Sequence, residues 1–183
     1  NGIRGKVGQE VLKALCAEPD MDPVGGSDSV VTSNSLELDK GLGSIPVSDT
    51  LSNILEDVDV IVDFSSVEGA MNSVRVGANK SVNVVVGTTG LSEDNYQEAK
   101  ELADRCQIGI IIAPNFAVGA ILMTHLIGQA SKFFEYADLY EVHHEAKIDA
   151  PSGTALAMAK AMRDGKGSDF TTSQTEKEII SNS

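Results

Sequence analysis

The densest group of reactive side chains in the sequence is Glu141-Val142-His143-His144-Glu145-Ala146-Lys147-Ile148-Asp149-Ala150-Pro151-Ser152-Gly153-Thr154. Imidazole suits proton transfer near neutral pH, so His143 and His144 are candidate acid–base groups. Neighbouring side chains on an extended strand point to opposite faces, which gives the two histidines different tasks. Lys147 can donate a proton or hold an anion. Ser152-Gly153-Thr154 opens a helical pattern, whose exposed N–H groups and two hydroxyls fit a carboxylate. Two other readings stay open. One is a solvated polar loop. The other is a metal site built from Glu141, His143, His144, Glu145 and Asp149, which Lys147 in its midst opposes.

A second group lies at the start of the chain. Gly2, Gly5 and Gly8 are spaced by threes and lead into an amphipathic stretch carrying Val7, Val11, Leu12, Leu15 and Cys16. Such glycines permit a tight turn and let backbone N–H groups approach a pyrophosphate at a helix N-terminus. Asp28 follows Gly8 at the distance where a carboxylate accepts ribose hydroxyls. The alternative is a structural glycine turn with Asp28 as an ordinary loop acid. A third group, Gly87-Thr88-Thr89-Gly90, offers hydroxyls and backbone groups that can orient a nicotinamide amide; a plain turn is the alternative.

The elements that must position these groups alternate. A short strand is expected near Val24, then an irregular Ser-, Gly- and Asp-rich loop over 29–47, then a short helix at 49–56. Strands are expected at 58–64, 82–86 and 108–112, and helices at 67–79, from Ser92 onward, and over 118–134. The near-unbroken β-branched run at 58–64 predicts burial on both faces, as in a parallel sheet. A strand over 137–144, a polar loop and a helix at 152–163 complete the pattern. The β-α-β-α-β-α order predicts a doubly wound parallel sheet with ligands at the carboxyl ends of its strands. A glycine turn that opens a helix normally follows a strand, so a missing first strand is expected ahead of Gly2.

Composition narrows the function. The chain has 183 residues and a formal net charge of −13, with no concentrated basic patch, so nucleic acid is not an expected partner. No apolar run reaches the ~20 residues that span a bilayer, so no membrane partner is expected. Cys16 and Cys106 form no ligand-like spacing, which fits a reducing compartment.

The run E-V-H-H-E-A-K-I-D-A-P-S-G-T-A at 141–155 resembles the signature of the dihydrodipicolinate reductase family. Further segments agree in order: G-I-R-G-K-V-G at 2–8, V-D-F-S at 62–65, G-T-T-G at 87–90 and A-P-N-F-A-V-G at 113–119. Val7 and Ala117 replace residues that are commonly Met and Ser in the family. The resemblance implies an α/β fold: a Rossmann-type dinucleotide-binding domain over 1–116, lacking its first strand, and part of an α+β substrate and tetramerisation domain over 117–183. It implies reduction of a cyclic imine-type dicarboxylate, 4-hydroxy-tetrahydrodipicolinate, by NADH or NADPH on the diaminopimelate route to lysine. Gly2, Ile3, Arg4, Gly5, Lys6 and Val7 would wrap the pyrophosphate and Asp28 would meet the adenine ribose. Gly87, Thr88 and Thr89, with Ala113, Pro114, Asn115 and Phe116 beside them, would hold the nicotinamide side.

His143 would be the proton donor and acceptor, and Lys147 the proton donor. His144, Ser152, Gly153 and Thr154 would bind the substrate. No metal is implied. The full-length protein is expected to be a cytoplasmic homotetramer, or to lie in the plastid stroma if it comes from a plant. Two alternatives are a Rossmann dehydrogenase acting on another small acid, and a non-catalytic fragment that binds nucleotide only.

Overall fold

Short strands and helices alternate along most of the described chain. The computed structural model describes residues 1–143 and 151–171. It divides into two compact units, Asn1–Pro114 and Asn115–Ser183.

The first unit holds two three-stranded sheets. Strands β4 (Val60–Asp63), β5 (Asn83–Val86) and β6 (Ile110–Ile112) are parallel in that spatial order, with Ile61 opposite Val84 and Val84 opposite Ile110. Helices α2 (Val67–Lys80) and α3 (Glu93–Cys106) supply the parallel crossovers. Both pack on the face carrying Ile61, Val84 and Val86, where Ala70, Met71, Val74, Ala99 and Leu102 close the core. Burying a Val, Leu, Ile or Met side chain among these is worth about 1.5–3 kcal/mol. The prediction that this run is buried on both faces is corrected: β4 buries alternate residues, and Ile111 of β6 is 57% exposed. Both crossover helices lie on one face, so only that face is covered by them.

The helices start where local chemistry dictates. Ser66 accepts from Gly69 N at 3.1 Å to cap α2, and Ser92 forms a reciprocal capping box with Asn95 on α3. Helix α1 (Lys6–Leu15) has Gly5 at its start and no side-chain cap.

The second sheet is ordered β1 (Gly26–Ser27), β3 (Ser44–Ser48), β2 (Ser35–Glu37). Strand β3 runs parallel to β1 and antiparallel to β2. The loop expected over 29–47 is therefore corrected to a hairpin. Its Ile45 and Val47 alternate inward and pack against Ile3 in a second small core. The short helix expected at 49–56 is a 3-10 turn, Leu51–Ile54. Asn1 and Gly2 touch both sheets. Asn1 N donates to Val62 O at 2.7 Å, Phe64 N donates to Asn1 O at 3.1 Å, and Gly2 N donates to Ser27 O at 2.8 Å.

In the second unit, α4 (Val118–Ser131) packs against α5 (Gly153–Lys166). Asn115 Oδ1 accepts from Ala117 N at 2.8 Å and fixes the entry to α4. The strand expected over 137–144 does not form in its described part: residues 137–143 have no ladder partner among the described residues, and Tyr140 is 91% exposed. An alternating sequence becomes a strand only when another strand satisfies its backbone.

Candidate functional site

A cavity of about 490 Å3 opens in the first unit. Its walls are Gly5, Lys6 and Val7 from the start of α1, Phe64–Val67 after β4, and Gly87, Thr88 and Thr89 after β5. It therefore lies at the carboxyl ends of two parallel strands, beneath two helix N-termini, where open α/β sheets bind ligands. The turn into α1 is built for close approach. Gly2 has φ +83°, and a Cβ there would strike the Phe64 carbonyl; a Cβ on Gly8 would strike the Gly2 carbonyl. Helix α1 has no acidic residue in its own first turn and no side-chain cap, and Lys6 stands at its positive end. Arg4, in the same turn, has a buried Nε with no hydrogen-bond partner. These donors fit a pyrophosphate.

Asp28 stands just after β1 and is tied to this turn. Arg4 N donates to Asp28 Oδ2 at 2.9 Å and Val30 N donates to Oδ1 at 3.2 Å. Each carboxylate oxygen keeps capacity to accept a further hydroxyl.

The sequence reading missed the residue that organises the cavity floor. Asp63, the last residue of β4, is 0% exposed. Its carboxylate accepts from Thr88 Oγ1 at 2.7 Å, Ser73 Oγ at 2.7 Å, Asn1 Nδ2 at 2.8 Å, and both N and Oγ of Ser65 at 3.2 and 3.0 Å. Ser65 N also donates to Thr88 Oγ1 at 2.9 Å. The ends of β4 and β5 are thereby locked together. The signal was present: an acid at the end of a strand, followed after Phe64 by two serines, Ser65 and Ser66. Thr88, expected on the nicotinamide, is only 8% exposed and turns its hydroxyl to Asp63, whereas Thr89 is exposed in the cavity wall.

A separate cluster forms in the second unit. Ser152 caps α5 by accepting from Ala155 N at 3.0 Å. Ser152 N and Oγ both donate to the Glu141 carboxylate, at 2.9 and 2.6 Å, and His143 Nε2 lies 3.1 Å from Glu141 Oε2. Those contacts, the Ser152 hydroxyl first, hold the Glu141 carboxyl below the usual carboxylate range. Thr154, on the first turn of α5, accepts from Asn115 Nδ2 at 3.2 Å.

The structure thus gathers Gly5, Lys6, Val7, Gly87, Thr88 and Thr89 at one cavity and His143, Ser152 and Glu141 in one cluster. Ala113 and Pro114 end the first unit, just beyond β6; Asn115 and Phe116 begin the second. His144 and Lys147, and Glu145 and Asp149 of the alternative metal set, lie outside the described residues. Among the described residues, no group of three or more His, Cys, Asp or Glu side chains could hold a metal ion, and no helix is long and apolar enough to cross a membrane.

Comparison with known proteins bears on this arrangement. The family model "Dihydrodipicolinate reductase, N-terminus" matches residues 1–116, and "Dihydrodipicolinate reductase, C-terminus" matches residues 119–182. A 4-hydroxy-tetrahydrodipicolinate reductase of Dehalococcoides mccartyi is 48% identical over 93% of this chain, and the chain spans 65% of that relative's length. The enzyme of the same name from Synechococcus elongatus is 35% identical, over 98% of this chain and 70% of its own length. Among solved structures, a dipicolinate-bound dihydrodipicolinate reductase from Paenisporosarcina sp. TG-14 superposes with a TM-score of 0.79 at 29% identity. It covers 98% of this chain, which spans 69% of that one. Two family models met in order along one sequence, over the same α/β framework, leave a single assignment: the chain belongs to the dihydrodipicolinate reductase family.

Proposed function

We propose that this chain reduces 4-hydroxy-tetrahydrodipicolinate with NADH or NADPH, in the diaminopimelate route to lysine. The observation that carries this reading is the cavity at the carboxyl ends of β4 and β5, roofed by the uncapped start of α1. The dinucleotide supplies a hydride when bound. Backbone N–H groups of Lys6 and Val7 bind its pyrophosphate, helped by Gly2, Ile3, Arg4 and Gly5, and Asp28 accepts from its adenine ribose. Gly87, Thr88 and Thr89 hold the nicotinamide side, with Ala113, Pro114, Asn115 and Phe116 as neighbours.

The substrate half belongs to the second unit. His143 and Lys147 manage the proton that must accompany hydride addition to the ring. His144, Gly153 and Thr154 bind the dicarboxylate, and Ser152 holds the start of α5 in place through Ala155 N and Glu141. The start of α5 supplies oriented N–H groups, which lets a chain of net charge −13 hold a dianion. The reading includes a two-domain division near residue 116, a cytoplasmic location and a homotetrameric assembly. Its support is the family membership and the cavity.

The test is calorimetric titration of NADH and NADPH, with and without pyridine-2,6-dicarboxylate as a planar mimic of the substrate. The expected result is that the dicarboxylate tightens dinucleotide binding, since two coupled sites must influence each other reciprocally. Dinucleotide binding that ignores the dicarboxylate would leave a nucleotide-binding chain without the proposed substrate site. Binding of neither ligand would overturn the proposal.

A further inference from the structure

The cavity wall at Ser65 and Thr88 has a fixed hydrogen-bond polarity, and Asp63 fixes it. Donors converge on both oxygens of this buried carboxylate: Thr88 Oγ1 and Ser65 N on Oδ1, Ser73 Oγ and Asn1 Nδ2 on Oδ2, and Ser65 Oγ on both. A backbone N–H and a side-chain amide N–H can only donate, so the group at the centre is an acceptor. The hydroxyls around it therefore spend their protons inward. Thr88 Oγ1 has one lone pair taken by Ser65 N at 2.9 Å, and Ser65 Oγ accepts from Asn1 Nδ2 at 3.3 Å. What each hydroxyl has left for a ligand is acceptor capacity.

The opposite end of the same cavity has the reverse polarity. There the uncapped start of α1 and Lys6 offer N–H donors and a positive charge. One end takes an anion; at the other, beside the start of α2, the Ser65 and Thr88 hydroxyls take a donor.

We infer that Asp63 is a positioning residue that turns the Ser65–Thr88 wall into an acceptor surface, selecting a ligand group that donates N–H and rejecting a carboxylate. This rests on the reading of the cavity as a nicotinamide dinucleotide site. In that reading the selected group is the nicotinamide carboxamide. A carboxylate facing those two hydroxyls would bring lone pairs and negative charge against oriented oxygens, with no hydroxyl proton left to bridge them.

The test compares NADH with reduced nicotinic acid adenine dinucleotide, which differs only in carrying a carboxylate for the carboxamide. Binding to the full chain is followed by dinucleotide fluorescence. The wild type is expected to bind NADH at least about tenfold more tightly, the size of one mismatched hydrogen bond. Asp63→Asn places donors among donors and is expected to narrow the ratio below about threefold where the variant folds. Thr88→Val deletes the oriented oxygen while keeping the side-chain shape, and is expected to narrow the ratio too; Thr88→Ser restores the oxygen and the preference.

Ser73→Ala touches Asp63 from α2 but does not line the cavity. It lowers the melting temperature and leaves the ratio in place, separating structural loss from loss of polarity. Equal binding of the two dinucleotides by the wild type overturns the inference while leaving the dinucleotide site standing. So does a preference that survives in folded Asp63→Asn or in Thr88→Val. Binding of neither dinucleotide overturns the underlying reading itself.

Discussion

Ser152 gives both its backbone N–H and its hydroxyl to a single side chain, the Glu141 carboxylate, at 2.9 and 2.6 Å. The sequence places an external carboxylate on these donors, and the chain's own carboxylate holds them instead. Gly153 and Thr154 are then the positions at the start of α5 through which a ligand carboxylate would be met. Glu141 Oε2 also lies 3.1 Å from His143 Nε2, so one carboxylate fixes both the start of a helix and a histidine ring.

The pH dependence follows from the direction of the Glu141 shift. Its folded carboxyl is held below the ordinary range, chiefly by Ser152. Such a group stabilises the fold above its unfolded pKa, about 4.3, and loses that contribution as pH falls through the lower folded value. Glu141→Gln is therefore expected to melt earlier than the wild type at about pH 7, with a smaller difference at about pH 3. Thermal unfolding at both values checks this; a gap that widens on acidification would contradict the assignment. The same variant is expected to lower kcat about tenfold or more, because the His143 ring loses an anchoring oxygen.

His143 itself separates chemistry from cofactor binding. The residues that line the cavity proposed for the dinucleotide all come from the first unit, and His143 belongs to the second. His143→Ala is expected to lower kcat by about 10²–10⁴-fold, the usual worth of a general acid–base group. The NADH dissociation constant should stay within about twofold of wild type. Steady-state kinetics and a binding titration on the same preparation decide it. Loss of NADH affinity with kcat intact would remove His143 from the proton-transfer role.

Elements carried by local signals were legible in the sequence. Ser92 and the acids after it mark the start of α3, the β-branched residues at 60–63 mark β4, and the glycines at 2, 5 and 8 mark the turn into α1. What depends on distant partners was not. The hairpin β2–β3 exists because Ile45 and Val47 find Ile3, and because β1 offers β3 an edge; its Ser- and Gly-rich composition hides both facts. The Asp63 network draws on residues 1, 65, 73 and 88, which no local window joins. Glu141 stood out in the sequence as a possible ligand, but its partner Ser152 lies 11 positions further along, beyond a local window.

The one bidentate ion pair between α2 and α3 among the described residues is worth little. Arg75 Nε and Nη2 meet Glu98 Oε1 and Oε2 at 2.6 and 2.8 Å. The hydrogen bonds between them raise the Arg75 guanidinium and lower the Glu98 carboxyl. Both side chains are more than a third exposed, so solvent screens most of the attraction. A double-mutant cycle with Arg75→Ala and Glu98→Ala should give a coupling of about 0.2–1 kcal/mol at about pH 7. The coupling should shrink in high salt, and also as pH falls through the lowered Glu98 value. A coupling well above this range would mean that the pair is less hydrated than its exposure implies.

The contact between α4 and α5 sets two glycine effects against each other. Gly165 lies on α5, and a Cβ there would collide with the Gly128 carbonyl of α4 and come within 2.7 Å of Ser131 Oγ. Ser131 is itself buried and donates to Gly128 O at 2.9 Å, so neither neighbour is a flexible chain end that can swing aside. Helix propensity alone would favour Gly165→Ala by about 0.5–1 kcal/mol. Forcing a methyl against backbone costs about 1–3 kcal/mol, so the clash is expected to win and the variant to melt at lower temperature. Gly119→Ala is the matching control on α4: a Cβ there meets nothing within 4 Å, and the expected change is a gain below about 1 kcal/mol. Thermal unfolding followed by circular dichroism compares the two. A Gly165→Ala protein at least as stable as wild type would show that α4 and α5 can separate at no cost, and that their crossing is not fixed by the two glycines.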